Sequence, residues 1–91
     1  MLDLNSRVVV REDLLSVEAD GALVVYDPVE GAYYDLNAVA SRLWREMSAP
    51  VVIADLCSRL CVDYNAPEQV IRQDVLAHLT RLLDAGLLRI E

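Results

Sequence analysis

The sequence predicts an α+β fold, a three-stranded antiparallel sheet followed by three helices, on three observations. The stretch "RVVVREDLLSVEADGALVVYDPVEGAYYDLN" has no helical period, is rich in β-branched residues and is broken at "ADG" and "DPVEG". At Asn37 the apolar period changes from two to about 3.6. Beyond it, "SAP" and "VDYNAPEQ" divide the remaining chain into three amphipathic stretches.

The strands are expected near 14–18, 22–27 and 32–36, with an outlying one at 8–10. Asp20-Gly21 suits a tight hairpin, and Asp27-Pro28-Val29-Glu30-Gly31 a longer turn in which Pro28 fixes φ and Gly31 permits a positive one. Strands this closely spaced pair only antiparallel. Asn37 is a natural N-cap for a first helix at about 38–47, whose Val39, Ala40, Leu43, Trp44 and Met47 share a face. Val52, Ile53, Leu56, Cys57, Leu60 and Cys61 describe a second helix at about 52–61. For the third, Asn65 with Glu68 three places on reads as a capping box, and Asp84-Ala85-Gly86 as a glycine stop after Leu83. The final "LLRI" reads as a short strand or a docked tail.

The 91 residues are expected to form one domain, 1–91, able to bury roughly 60–70% of the surface the unfolded chain exposes. Its hydrophobic fraction of 55% comes from Val, Leu and Ala, because there is no Phe and only Trp44 and four Tyr are aromatic. The longest apolar runs fall far short of the ~20 residues of a membrane span. No basic-then-apolar leader opens the chain, so a cytoplasmic location without a membrane partner is expected. The net charge of −7 is unevenly placed: residues 1–36 hold eight acids against Arg7 and Arg11. There is no Lys and no clustered basic face, which argues against nucleic acid.

Catalytic chemistry is thin. Cys57 and Cys61, four apart on one helix face, have only His78 as a further soft ligand, too few for a metal site, and they read as small buried hydrophobes. His78 and Asp74 sit on one flank of the third helix, a surface i,i+4 pair or a structural contact. With no nucleophile–base pair and no Gly-rich phosphate loop, neither an enzyme nor a cofactor is expected, and a binding module remains.

Strands followed by three helices make a winged helix-turn-helix-like assembly, a type that often reads DNA with its last helix. That helix would offer Arg72 and Arg81 against Glu68, Asp74 and Asp84, the wrong electrostatics for a phosphate backbone, so DNA binding stands only as the alternative of another class. Peptide binding by strand addition fits better, since it needs a free sheet edge beside an apolar groove. Strand 32–36 would supply the edge, with Tyr33 and Asp35 on one face and Ala32, Tyr34 and Leu36 on the other. On the third helix, Ile71, Val75, Leu76, Leu79, Leu82 and Leu83 cover an arc wider than the roughly 100° stripe of one packing contact. Either that helix faces two apolar surfaces, or it is simply central and more buried.

The ordered set "LVVYDPVEGAYYDLNAVASRLWREM" and "VIRQDVLAHLTRLLDAGLL" resembles the PqqD-like family of leader-recognition domains from ribosomal peptide pathways. Tyr34, Leu36, Asn37 and Trp44 match its first motif, and Asp74, Val75, Leu79, Leu82, Gly86 and Leu87 its second. The resemblance implies that a precursor's leader peptide adds as a further strand beside strand 32–36 and packs on the third helix. Carried over, the peptide-binding residues are Ala32, Tyr33, Tyr34, Asp35 and Leu36 on the strand; on the helix, Arg72, Asp74, Val75, Leu76, Leu79 and Leu83 are chosen as the groove margin, the family pattern leaving open which edge of the apolar arc faces the core. A free-standing copy is similar to the leader-binding proteins of lasso-peptide pathways, whose partners are a cysteine protease acting as leader peptidase and an ATP-dependent cyclase. The alternative is the pyrroloquinoline quinone branch, whose partner is a radical S-adenosylmethionine enzyme. An unpaired edge strand allows either a monomer or a strand-exchanged dimer.

Overall fold

A computed structural model describes residues 2–91. The elements in chain order are β1 (Arg7–Val10), β2 (Leu15–Ala19), β3 (Ala22–Asp27), β4 (Ala32–Leu36), α1 (Ala38–Glu46), β5 (Val51–Val52), α2 (Ile53–Asp63), α3 (Glu68–Asp84) and β6 (Leu88–Ile90). The expected antiparallel meander is present as β2-β3-β4, which leaves β2 and β4 as its two edges. Its first turn is Asp20-Gly21 with φ of 53° and 81°, the pair of positive values that lets a two-residue turn follow the strand twist. The second closes by a hydrogen bond from the Gly31 N–H to the Asp27 carbonyl at 2.8 Å.

The addition is a second antiparallel sheet, β5-β1-β6. The outlying strand is its centre, and the "LLRI" tail is one edge. Val51 and Val52, of which Val52 was assigned to the second helix, instead pair with Val8 and Arg7. Val8 joins the core cluster, which gives the N-terminal segment its place in the core, while Val9 is buried on the opposite face of the strand.

The helix ends follow local rules, with one correction. Asn37 caps α1, its side chain accepting from the Ala40 N–H at 2.8 Å. The Asn65–Glu68 capping box does not form: α3 begins at Glu68 with Pro67 at the cap position and no side-chain cap bond. A residue before proline is kept out of the helical region, so Ala66 cannot join the first turn and Asn65 falls too far back. At the other end Gly86 has φ 77°, and its N–H and that of Leu87 return to the carbonyls of Leu83 and Leu82. This is the left-handed glycine closure that the sequence signals, with Leu82 and Leu87 joining the core beneath it.

Two polar groups are built into the packing. The fully buried Ser41 hydroxyl accepts from the Leu23 N–H at 2.9 Å and donates to the Leu36 carbonyl at 3.2 Å, tying α1 to the end of the β3–β4 ladder. Arg11 donates from Nη1 to Asp27 at 3.1 Å and to the Gly86 carbonyl at 2.8 Å, while Nε and Nη2 reach Asp13 at 3.1 and 2.6 Å.

Ser41→Ala leaves one buried donor and one buried acceptor unmatched, and urea denaturation is expected to show a loss of about 1–3 kcal/mol. Val75 and Leu79 have no exposed surface. Either one changed to Asp puts a carboxylate into a dry core, and circular dichroism at neutral pH should report an unfolded chain.

Candidate functional site

Among the described residues no strand pairs with the outer edge of β4, so alternate backbone N–H and C=O groups of residues 32–36 have no ladder partner. Along that edge runs a groove of about 370 Å³. Its strand wall is Tyr33, Tyr34, Asp35 and Leu36, its helix wall is His78, Arg81, Leu82 and Ala85, and the buried Ala40 and Leu87 lie at its base. His78, Leu82 and Ala85 follow the i, i+4, i+7 spacing of one helix face, and the small Ala85 leaves the space open.

The strand residues take the alternation expected of them. Tyr33 and Asp35 are exposed on the outer sheet face, where the Tyr33 ring lies 4.6 Å from that of Tyr26. Leu36 is buried on the inner face, and Ala32 and Tyr34 are half-buried there. The helix residues are placed differently. Val75 and Leu79 are core; Leu76 and Leu83 are partly buried against the same core; Arg72 is exposed and bonded to Glu68 at 2.7 Å. Asp74 lines a separate cleft of about 90 Å³ with Val39, Leu60, Tyr64, Ala66 and Ile71. None of these six lines the groove beside β4, whose helix wall is the other margin of the apolar arc. Periodicity located the arc but not its open side. The one sequence signal for that side is a half-polar flank, His78 and Arg81, interrupted by Leu82 and Ala85.

The groove's electrostatics follow from burial and neighbours. Partial burial, and secondarily the Arg81 charge, hold the His78 imidazole below its ordinary value, with Asp74 opposing weakly. His78 is therefore neutral at pH 7 and leaves Arg81 as the charge on the helix wall. In the β3–β4 turn, burial alone would raise the Asp27 carboxyl, but Arg11 and the N–H groups of Glu30 and Val29 outweigh it and hold it low. Arg11 likewise lowers Asp13. Burial pushes the Cys57 thiol up, which keeps it protonated and unreactive. Among the described residues no group of His, Cys, Asp and Glu is placed to hold a metal ion, and no helix is long and apolar enough to cross a membrane.

Fold and groove together define a small α+β module with an open strand edge beside a cleft of mixed polar and apolar lining. Residues 22–88, well over half of the chain, match the family model described as Coenzyme PQQ synthesis protein D (PqqD). The chain belongs to the PqqD family. No curated protein matches it. Among solved structures it is similar to TbiB1 in complex with the TbiA(beta) leader peptide, at 22% identity and a TM-score of 0.82, over 89% of this chain and 94% of that one. It is also similar to lasso peptide synthetase B1 complexed with the leader peptide, at 22% identity and a TM-score of 0.79, over 90% and 96% of the two chains. At this identity the likeness establishes the shared fold.

Two pH windows follow. Because the folded state lowers the His78 pKa, the unfolded chain binds that proton more readily, and stability rises with pH between the lowered value and about 6.5. Asp13 and Asp27, also lowered, contribute stability that is complete above about 3.9 and is lost as pH falls through their folded values. Thermal melts of the wild type and His78→Gln should differ in slope in the first window and run parallel in the second.

Proposed function

We propose that this protein is a non-catalytic adaptor that binds the leader region of a ribosomally made precursor peptide and presents the leader–core junction to separate maturation enzymes. The observation that carries this reading is the coincidence of the free β4 edge with the groove along α3. Strand addition needs both at one place: main-chain hydrogen bonds hold the guest, and a cleft takes its alternate side chains. The two similar structures, each a complex with a leader peptide, support the same use of the fold.

Ordering a disordered leader costs about 2–5 kcal/mol of the gross interaction, so affinity has to come from a few buried anchors. The guest's inward side chains would meet Tyr34, Leu36, Leu82 and Ala85. The sheet's outer face, where Leu15, Val17 and Tyr33 are exposed, remains open with the guest in place, and there we put the contact with the enzymes. In the lasso-peptide form of this reading those enzymes are a cysteine leader peptidase and an ATP-dependent cyclase. Membership of a family named for coenzyme PQQ synthesis supports a second form, a role in pyrroloquinoline quinone maturation, in which the partner would be a radical S-adenosylmethionine enzyme. On this reading the place of action is the cytoplasm.

Of any two neighbouring residues in β4, one turns its N–H to β3 and the other turns it outward. Proline at Tyr33 and at Tyr34, taken singly, should therefore give one variant that keeps its circular dichroism spectrum and one that does not. Toward a fluorescein-labelled leader peptide that the wild type binds, the folded one is expected to show an affinity lower by about tenfold or more, measured by fluorescence polarisation. Unchanged affinity in that folded variant rules out docking at this edge.

A further inference from the structure

We infer that the groove selects its guest by charge as well as by shape: it fits an extended peptide with an acidic side chain at an inward-facing position and basic or neutral side chains at the outward-facing positions beside it. This rests on the docking of an extended guest along β4. Six of the eight arginines lie within ion-pair distance of a carboxylate, and among the described residues Arg7 and Arg81 do not. Only Arg81 of these two lines the groove. Its one hydrogen bond, from Nε to the Ala77 carbonyl at 3.4 Å, leaves both terminal nitrogens of the guanidinium unengaged. A guanidinium presents those nitrogens as a fork that matches a carboxylate.

The other side of the guest meets the opposite sign. Residues 12–41 contain seven acids and no Arg, Lys or His, whereas the remaining residues hold eight acids and eight arginines. The whole formal charge of −7 thus sits on the β2-β3-β4 sheet, its turns and the start of α1. Asp35, exposed on the outer face of β4 and without an ion-pair partner among the described residues, is the acid nearest a guest's outward side chains. A strand alternates its side chains between faces, so an acid facing Arg81 and a base facing Asp35 must be an odd number of residues apart. Slipping the guest by one residue exchanges the two faces and sets like charge against like, so the same pattern that selects the guest also fixes its register.

The test uses a phage-displayed library of random peptides long enough to span β4, selected on the wild-type chain, with fluorescein-labelled copies of the recovered sequences titrated by fluorescence polarisation at low and high salt. Ala85→Trp, which fills the groove, identifies the peptides that occupy it. Those peptides are expected to carry Asp or Glu at one position, to bind Arg81→Glu about tenfold more weakly at low salt, and to regain affinity for that variant when the acid is changed to Lys. Peptides that lose binding on Ala85→Trp but show no acid and bind Arg81→Glu unchanged would overturn the charge rule and leave groove docking intact. Peptides indifferent to Ala85→Trp would overturn both.

Discussion

The contact on which the rest of the architecture depends is the Arg11 guanidinium. It joins three segments far apart in sequence: the link from β1 to β2 through Asp13, the β3–β4 turn through Asp27, and the end of α3 through the Gly86 carbonyl. Asp27 is fully buried and also accepts from the N–H groups of Val29 and Glu30 at 3.0 and 3.3 Å, so one carboxylate organises the turn and meets the cation. The Arg11 backbone N–H adds a bond to the Leu87 carbonyl at 3.1 Å. The fork thereby ties the β3–β4 turn to the C-terminal end of α3, the two elements that lead into the groove's walls. A lysine offers a point charge and cannot bridge three acceptors in one plane. Removing Arg11 leaves the buried Asp27 carboxylate without its cation, whereas removing Asp27 leaves Arg11 with Asp13 and the Gly86 carbonyl.

The meander and the helices were legible because they are long enough to show a period. Leu23, Val25 and Leu36 alternate inward, and Ala40, Leu43, Trp44 and Met47 recur on the buried side of α1 and its C-cap. β5 has two residues and β6 three, too few for any period, and their strand character comes from β1 lying between them. Arg11 and Ser41 were not legible for a different reason. Their roles are long-range polar contacts, 16 and 75 residues away for Arg11 and 18 for Ser41, and no local pattern records a partner at that distance. The site was half legible: the face parity of β4 follows from alternation alone, but the apolar arc of α3 is filled on one margin by the core and open on the other. The Leu82–Leu87 closure and the position of β4 decide which.

Both edges of the β2-β3-β4 sheet are unpaired among the described residues, so an open edge alone does not choose the docking strand. All five residues of β2 are exposed, so a chain pairing there would gain main-chain bonds and bury little against the strand itself. Main-chain bonds exchange protein–water for protein–protein partners and net only about 0.5–1.5 kcal/mol each, which a disordered guest spends on its own ordering. Glu18, engaged with Arg45 at 3.3 Å, further places charge on that strand, a common way of discouraging edge pairing. β4 differs in having α3 alongside. An added strand there would turn every second side chain toward a wall that includes Leu82 and Ala85, so pairing and burial would reinforce each other in one register. That asymmetry, with α3 alongside one edge only, leaves β4 as the edge that offers an added strand both backbone pairing and a cleft.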